Sequence, residues 1–168
     1  HQNRILDLEI NRPDQVWVSD ITYIGKREKP CYLSIVTDAY SKKIMGYEVS
    51  ENLAAANTIK ALEMALKDRK YTTPLIHHSD RGLQYCSAGY TKLLTDNKVD
   101  ISMTQDGSPY DNAVAERVNG ILKDEFGLDD IFENIEQARN EVKQSIDLYN
   151  RLRPHLSNTM LTPVEMHK

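Results

Sequence analysis

Three short stretches in the first fifty residues constrain the fold most. Residues 15–24, Cys31–Asp38 and Ile44–Ser50 are rich in β-branched and aromatic side chains. The segments that join them, 25–30 and 39–43, hold only five or six residues. A parallel return needs about a dozen residues or more, so these stretches predict an antiparallel meander. In the first strand Val16, Val18, Asp20 and Thr22 point one way, and Trp17, Ser19, Ile21 and Tyr23 the other. Trp17 is expected in the core. Asp20 then stands mid-strand, where a charge is costly unless something compensates it.

After residue 50 the period changes. Residues 54–69 are alanine-rich with Ile59, Leu62, Ala65 and Leu66 on one face, which predicts a helix that Thr72, Thr73 and Pro74 break. A short strand over 75–80 runs into a turn at Arg81 and Gly82. Ser87 is the expected N-cap of a helix over 87–97, and Val99–Met103 reads as a brief strand at a parallel edge. Residues 105–109 form a loop around Gly107 and Pro109, which permits movement. Helices follow over about 111–126 and over 135–150, the second ended by Arg153 and Pro154. The expected class is α/β, with a mixed sheet of three antiparallel strands and then βαβ units, flanked by helices. Residues 1–14 read as a linker or arm, 15–150 as one core and 151–168 as a tail. The start at His1, without methionine, suggests a piece of a longer protein.

With 168 residues, 40% hydrophobic and 27% charged, the chain is a globular domain rather than a disordered one. No run approaches the roughly 20 apolar residues of a membrane span, so no membrane role is expected. Cys31 and Cys86 fit no metal or disulfide pattern and are expected as small buried hydrophobes in a reducing cytoplasm. The net charge of −4 disfavours a broad basic nucleic-acid surface, so binding to DNA would need local patches, metal ions or a partner domain.

The helix over 111–126 has two unlike faces. Val114, Val118, Ile121, Leu122 and Phe126 make an apolar stripe, while Asn112, Glu116, Asn119 and Lys123 line the far side. An exposed polar face is the ordinary explanation. Asp20 and Asp80 change that, because an α/β sheet brings strand ends and helix faces to one side. Gathered carboxylates repel unless cations neutralise them, and all-oxygen ligands suit a hard divalent ion. Two such ions can clamp the attacking and leaving oxygens of a phosphoryl displacement.

Asp20 precedes Asp80 by 60 residues, and 35 residues separate Asp80 from Glu116. This spacing resembles the D,D(35)E signature of retroviral integrases and bacterial insertion-sequence transposases. The words WVSDITY (17–23), HSDRGLQY (78–85) and SPYDNAVAE (108–116), with Lys123 seven residues on, are similar to that family's motifs. YNRLRPH (149–155) and LTP (161–163) resemble the tail of the second-frame (orfB) transposases of copy-out insertion elements. The likeness covers nearly all of 14–166. It implies a ribonuclease H-like fold, with Asp20, Asp80 and Glu116 as catalytic and metal-binding residues. It further implies magnesium or manganese, as two ions, and Lys123 as a DNA contact near the scissile phosphate. The implied reaction is hydrolysis at the element's end and strand transfer by the freed 3′ hydroxyl. The implied partners are DNA, as element ends and target, and further copies of the chain. The implied setting is the bacterial cytoplasm and nucleoid, with helix-turn-helix modules ahead of His1 reading the terminal sequence. Leu83 and Val118 depart from the family's usual small polar and aromatic residues, which bears on fine DNA contacts.

Asn112, Asn119, Arg151 and Arg153 are further candidate DNA contacts. Asn112 and Asn119 could equally position Glu116, and Arg151, Arg153 and His155 could meet phosphate or a partner subunit. His77 and His78 lack other metal ligands at useful spacing and are expected to pack or hydrogen-bond. Two other functions stay open: a ribonuclease H-like nuclease without strand transfer, and a non-catalytic domain that pairs DNA ends.

Overall fold

The computed structural model describes residues 1–25, 30–105 and 112–168. A five-stranded sheet runs in the order β3-β2-β1-β4-β5, with β1 Val16–Ile24, β2 Cys31–Asp38, β3 Ile44–Ser50, β4 Leu75–Ser79 and β5 Val99–Met103. The meander is antiparallel as expected, and β4 and β5 join it in parallel. The register sets Asp20 opposite Ile35 on β2, while Val18 lies opposite His78 on β4.

Alternation along the strands decides which helices cover which face. Trp17, Val36 and Met45 pack with Ala61, Leu62 and Ala65 of α1 (Ala55–Asp68) and with Tyr90 and Leu94 of α3 (Ala88–Asp96). Trp17 is fully buried. Gly46 lets α1 approach β3 closely, since a Cβ there would lie 2.1 Å from the Ala61 carbonyl oxygen. On the other face Ile24, Leu33 and Ile35 meet Val118, Ile121 and Leu122 of α4 (Ala113–Asp124). The same cluster takes in Ala138, Val142 and Ile146 of α5 (Ile135–Leu152). Each such buried aliphatic side chain contributes about 1.5–3 kcal/mol. Because Asp20 shares the parity of Val16, Val18 and Ile24, it faces α4.

Two short helices escaped the sequence reading: α2 (Leu83–Cys86), between β4 and α3, and α6 (Pro163–Met166), which opens on a Thr162–Glu165 capping box. Four residues are too few to show a helical period. The helix expected over 111–126 is regular over Ala113–Asp124, and residue 111 lies outside the described residues, as does most of the loop expected over 105–109. Ser87 caps α3 by accepting from the Tyr90 amide.

The terminal segments are packed onto the sheet. Residues 1–10 run past the outer edge of β5, with the Met103 amide donating to the Gln2 carbonyl and the Arg4 amide to Ser102 Oγ. Ile5 and Ile10 pack beside Val16, Val18 and Ala115. In the last turn of α5, the Tyr149 hydroxyl donates to the Lys42 carbonyl, and the Asn150 side chain bonds both the amide and the carbonyl of Ile44. The Asn150 amide thereby occupies hydrogen-bonding groups of an edge strand.

Candidate active site

Asp20 sits at the centre of β1 beneath α4, and Asp80 is the first residue beyond the end of β4. The two line one cleft of about 210 Å³, together with Leu53, Gln84 and Tyr85. Glu116 projects from the first turn of α4 and is exposed, and Lys123 lies in its last turn. Burial raises the Asp20 carboxyl to about 6, the charges of Asp80 and Glu116 push the same way, and the Ile21 amide and Lys123 oppose. The other three predicted groups, Asp80, Glu116 and Lys123, are therefore within electrostatic reach of Asp20. They do not close into a tight ligand set: among the described residues, only Asp14, Asp38 and His167 bring three such ligand atoms within 4.8 Å of one another.

Asn119 differs from the expectation of an exposed polar face. It is only 7% exposed, and its Nδ2 donates to Asp20 Oδ2 at 2.9 Å. The helical wheel placed Asn119 beside Glu116, but α4 meets β1 at Asn119 and solvent at Glu116. Asn119 thus braces Asp20. Asn112 stands just before α4 without capping it, and its Oδ1 is buried without a partner among the described residues. Arg151 pairs with Asp147 at 2.7 Å, and Arg153 grips Glu125 through Nε and Nη2, each at 2.6 Å. Both arginines are thus already engaged within the chain.

The histidines pack as expected. His77 Nε2 lies 2.7 Å from both Ser19 Oγ and the Tyr90 hydroxyl, and burial, with His78 beside it, lowers its pKa to about 3. His78 Nδ1 lies 2.8 Å from Ser102 Oγ. These contacts lock β1, β4 and β5 side by side beneath the two aspartates. Cys31 is buried, but Cys86 is exposed, contrary to expectation, because α2 turns it outward toward the Arg81 carbonyl.

Sequence reasoning missed the Asp14–Asp38–His167 cluster. Asp38 accepts from the Asp14 amide and from the amide and hydroxyl of Ser41, each at 2.8 Å, and Trp17 Nε1 donates to Asp14. His167 Nδ1 lies 2.9 Å from Ser41 Oγ, whose proton is committed to Asp38, so the imidazole donates. Burial pulls His167 down, yet Asp14 and Asp38 outweigh it and raise its pKa. The two acids thus favour the protonated imidazole, and the cluster ties α6 to the β1 and β2 ends. Its members are far apart in sequence, so no local spacing could reveal them.

The integrase core domain model matches residues 10–109, and a second integrase core model matches 97–163. The chain belongs to the integrase core family. Among its relatives, a 31 kDa protein of insertion element IS600 from Shigella sonnei is 39% identical over 85% of this chain and 53% of its own length. The InsF transposase of insertion sequence IS3A from Escherichia coli is 38% identical over 89% of this chain and 52% of its own. The chain spans about half the length of the curated relatives it matches. The fold is that of retroviral integrase cores: a magnesium complex of the HTLV-2 integrase catalytic core superposes with a TM-score of 0.73 at 18% identity, over 94% of this chain and 98% of the other. An integrase chain in a simian T-cell lymphotropic virus intasome gives 0.76 at 20% identity, over 95% and 57%. The ribonuclease H-like class expected from the sequence is thus established, as is kinship with insertion-sequence transposases.

Proposed function

We propose that this chain is the catalytic core of a DNA transposase that hydrolyses a phosphodiester at an element's end and joins the freed 3′ hydroxyl to target DNA. The observation that carries this reading is Asp20: a half-buried carboxylate, braced by Asn119, whose pKa burial raises to about 6, with the charges of Asp80 and Glu116 adding to the shift. Such a site holds negative charge that its own side chains leave uncompensated, which fits a hard divalent cation. Asp20, Asp80 and Glu116 would hold magnesium or manganese, as two ions. The ions would supply electrophilic stabilisation of the phosphate oxygens and acidify the attacking hydroxyl. Lys123 pairs with a phosphate beside the scissile bond. Each displacement forms one P–O bond and breaks one, so joining needs no energy-rich cofactor.

Residues 1–14 act as an arm leading in from an upstream region, 15–150 as the core and 151–168 as a tail. DNA, as element ends and target, and further copies of the chain are the partners. Because Arg151, Arg153 and Asn119 have internal partners, Lys123 is the leading DNA contact on this side, and Asn112 the second.

Pre-cut terminal oligonucleotides, target DNA and Mg2+ or Mn2+ supply the test. The reading expects joined product that disappears in Asp80→Asn. Cleavage without joining would favour a simple nuclease, and DNA pairing with neither step would favour an end-pairing domain.

A further inference from the structure

The turn after β4 is anchored more heavily than a simple connection needs. The Gly82 amide donates to Asp80 Oδ1 at 2.8 Å, and a Cβ on Gly82 would lie 2.9 Å from the same oxygen. The Ser79 hydroxyl donates to the Asp80 carbonyl, and the amides of Tyr85 and Cys86 donate to the Gly82 carbonyl. Between these anchors, the exposed Arg81 side chain turns back along the protein instead of out to solvent. Its Nε donates to the Thr104 carbonyl at 2.8 Å and its Nη2 to the His1 carbonyl at 2.9 Å. One guanidinium thus joins three pieces of chain: the turn that carries Asp80, the residue that follows β5, and the N-terminal arm. The planar fork of an arginine holds its donors in fixed geometry toward two separated carbonyls, whereas a lysine ammonium is a single flexible point.

We propose that Arg81 is a positioning residue that holds Asp80 in place for its ligand, by tying the Asp80 turn to the end of β5 and to the arm. This rests on the reading of Asp80 as a metal ligand. It also gives the arm a role: whatever shifts residues 1–4 loosens the mount of the second aspartate. Groups that orient a ligating side chain typically alter metal affinity 10–100-fold when removed.

The test compares the full chain with its Arg81→Ala, Arg81→Lys and Asp80→Asn forms. It measures Mn2+ affinity by electron paramagnetic resonance, DNA affinity in chelator, and Tm. Arg81→Ala is expected to weaken Mn2+ binding about tenfold, with DNA affinity in chelator changed less than about twofold. Arg81→Lys, reaching one carbonyl, should recover part of the loss. Unchanged Mn2+ affinity with weaker DNA binding would make Arg81 a phosphate contact and overturn the proposal. Unchanged Mn2+ affinity with only a lower Tm would make it a structural staple and overturn the proposal equally. Should Asp80→Asn itself leave Mn2+ binding intact, the metal reading beneath falls first and the positioning role falls with it.

Discussion

Two groups of acids lie on this sheet, and they are built in opposite ways. Asp14 and Asp38 are fully buried, accept several hydrogen bonds and hold His167 between them at 3.4 and 3.6 Å. Asp20 is half-buried and Asp80 and Glu116 are exposed, and among the described residues Asp20 receives a side-chain bond from Asn119. The pKa directions register the contrast: Asp14 is lowered despite burial because His167 and Trp17 outweigh it, whereas Asp20 is raised. The first cluster sets a histidine between its two acids and fastens the C-terminal segment. In the second, among the described residues, Lys123 is the cation that acts on Asp20.

The largest expected effect breaks the second cluster. Asp20→Asn, Asp80→Asn or Glu116→Gln should each reduce joining on the order of a thousandfold or more, measured as joined product per unit time. Near-parental joining by any of them would remove that residue from the site.

Next comes the first cluster. His167→Ala leaves two buried carboxylates facing each other and should cost about 3 kcal/mol at pH 6, measured by urea unfolding. A raised histidine pKa contributes stability that is complete below the unfolded value near 6.5 and fades as pH rises through the folded value. The gap between parent and variant should therefore narrow in alkaline buffer. A gap that widened with pH would show that His167 is neutral.

Asp20→Asn should have the opposite sign. A carboxyl raised to about 6 costs stability above that pH, and the cost vanishes below the unfolded value of 3.8. Without metal, the variant should be about 1–2 kcal/mol more stable than the parent at pH 8 and equal to it at pH 3.5. Mn2+ should stabilise the parent and leave the variant unmoved. The smallest effect concerns the Arg153–Glu125 pair. Glu125→Gln should change stability by less than about 1 kcal/mol, and stronger DNA binding on release of Arg153 would restore that arginine as a phosphate contact.

Much of the fold was legible because period-two alternation on β1 to β3 and the apolar stripe of α4 each reflect a single packed face. The α2 and α6 helices were not, since one turn carries no period and tertiary contacts hold it. At the site, Asp20, Asp80 and Glu116 stood out by spacing and by the words around them. The bond from Asn119 to Asp20 did not, because a helical wheel shows which residues share a face but not where along it the helix touches a strand. The Arg153–Glu125 pair was hidden for a related reason, since its partners come together only when α4 and the end of α5 are docked, whereas the Arg151–Asp147 pair has helical i, i+4 spacing and was open to a sequence reading. Asp14 and His167 lie at opposite ends of the chain and meet only once the tail folds back.

Crystals soaked in Mn2+ offer the most direct test, through anomalous scattering. The expected peaks, two of them, lie among Asp20, Asp80 and Glu116, with none at Asp14, Asp38 and His167. A peak at the histidine cluster and an empty Asp20 site would contradict the central claim.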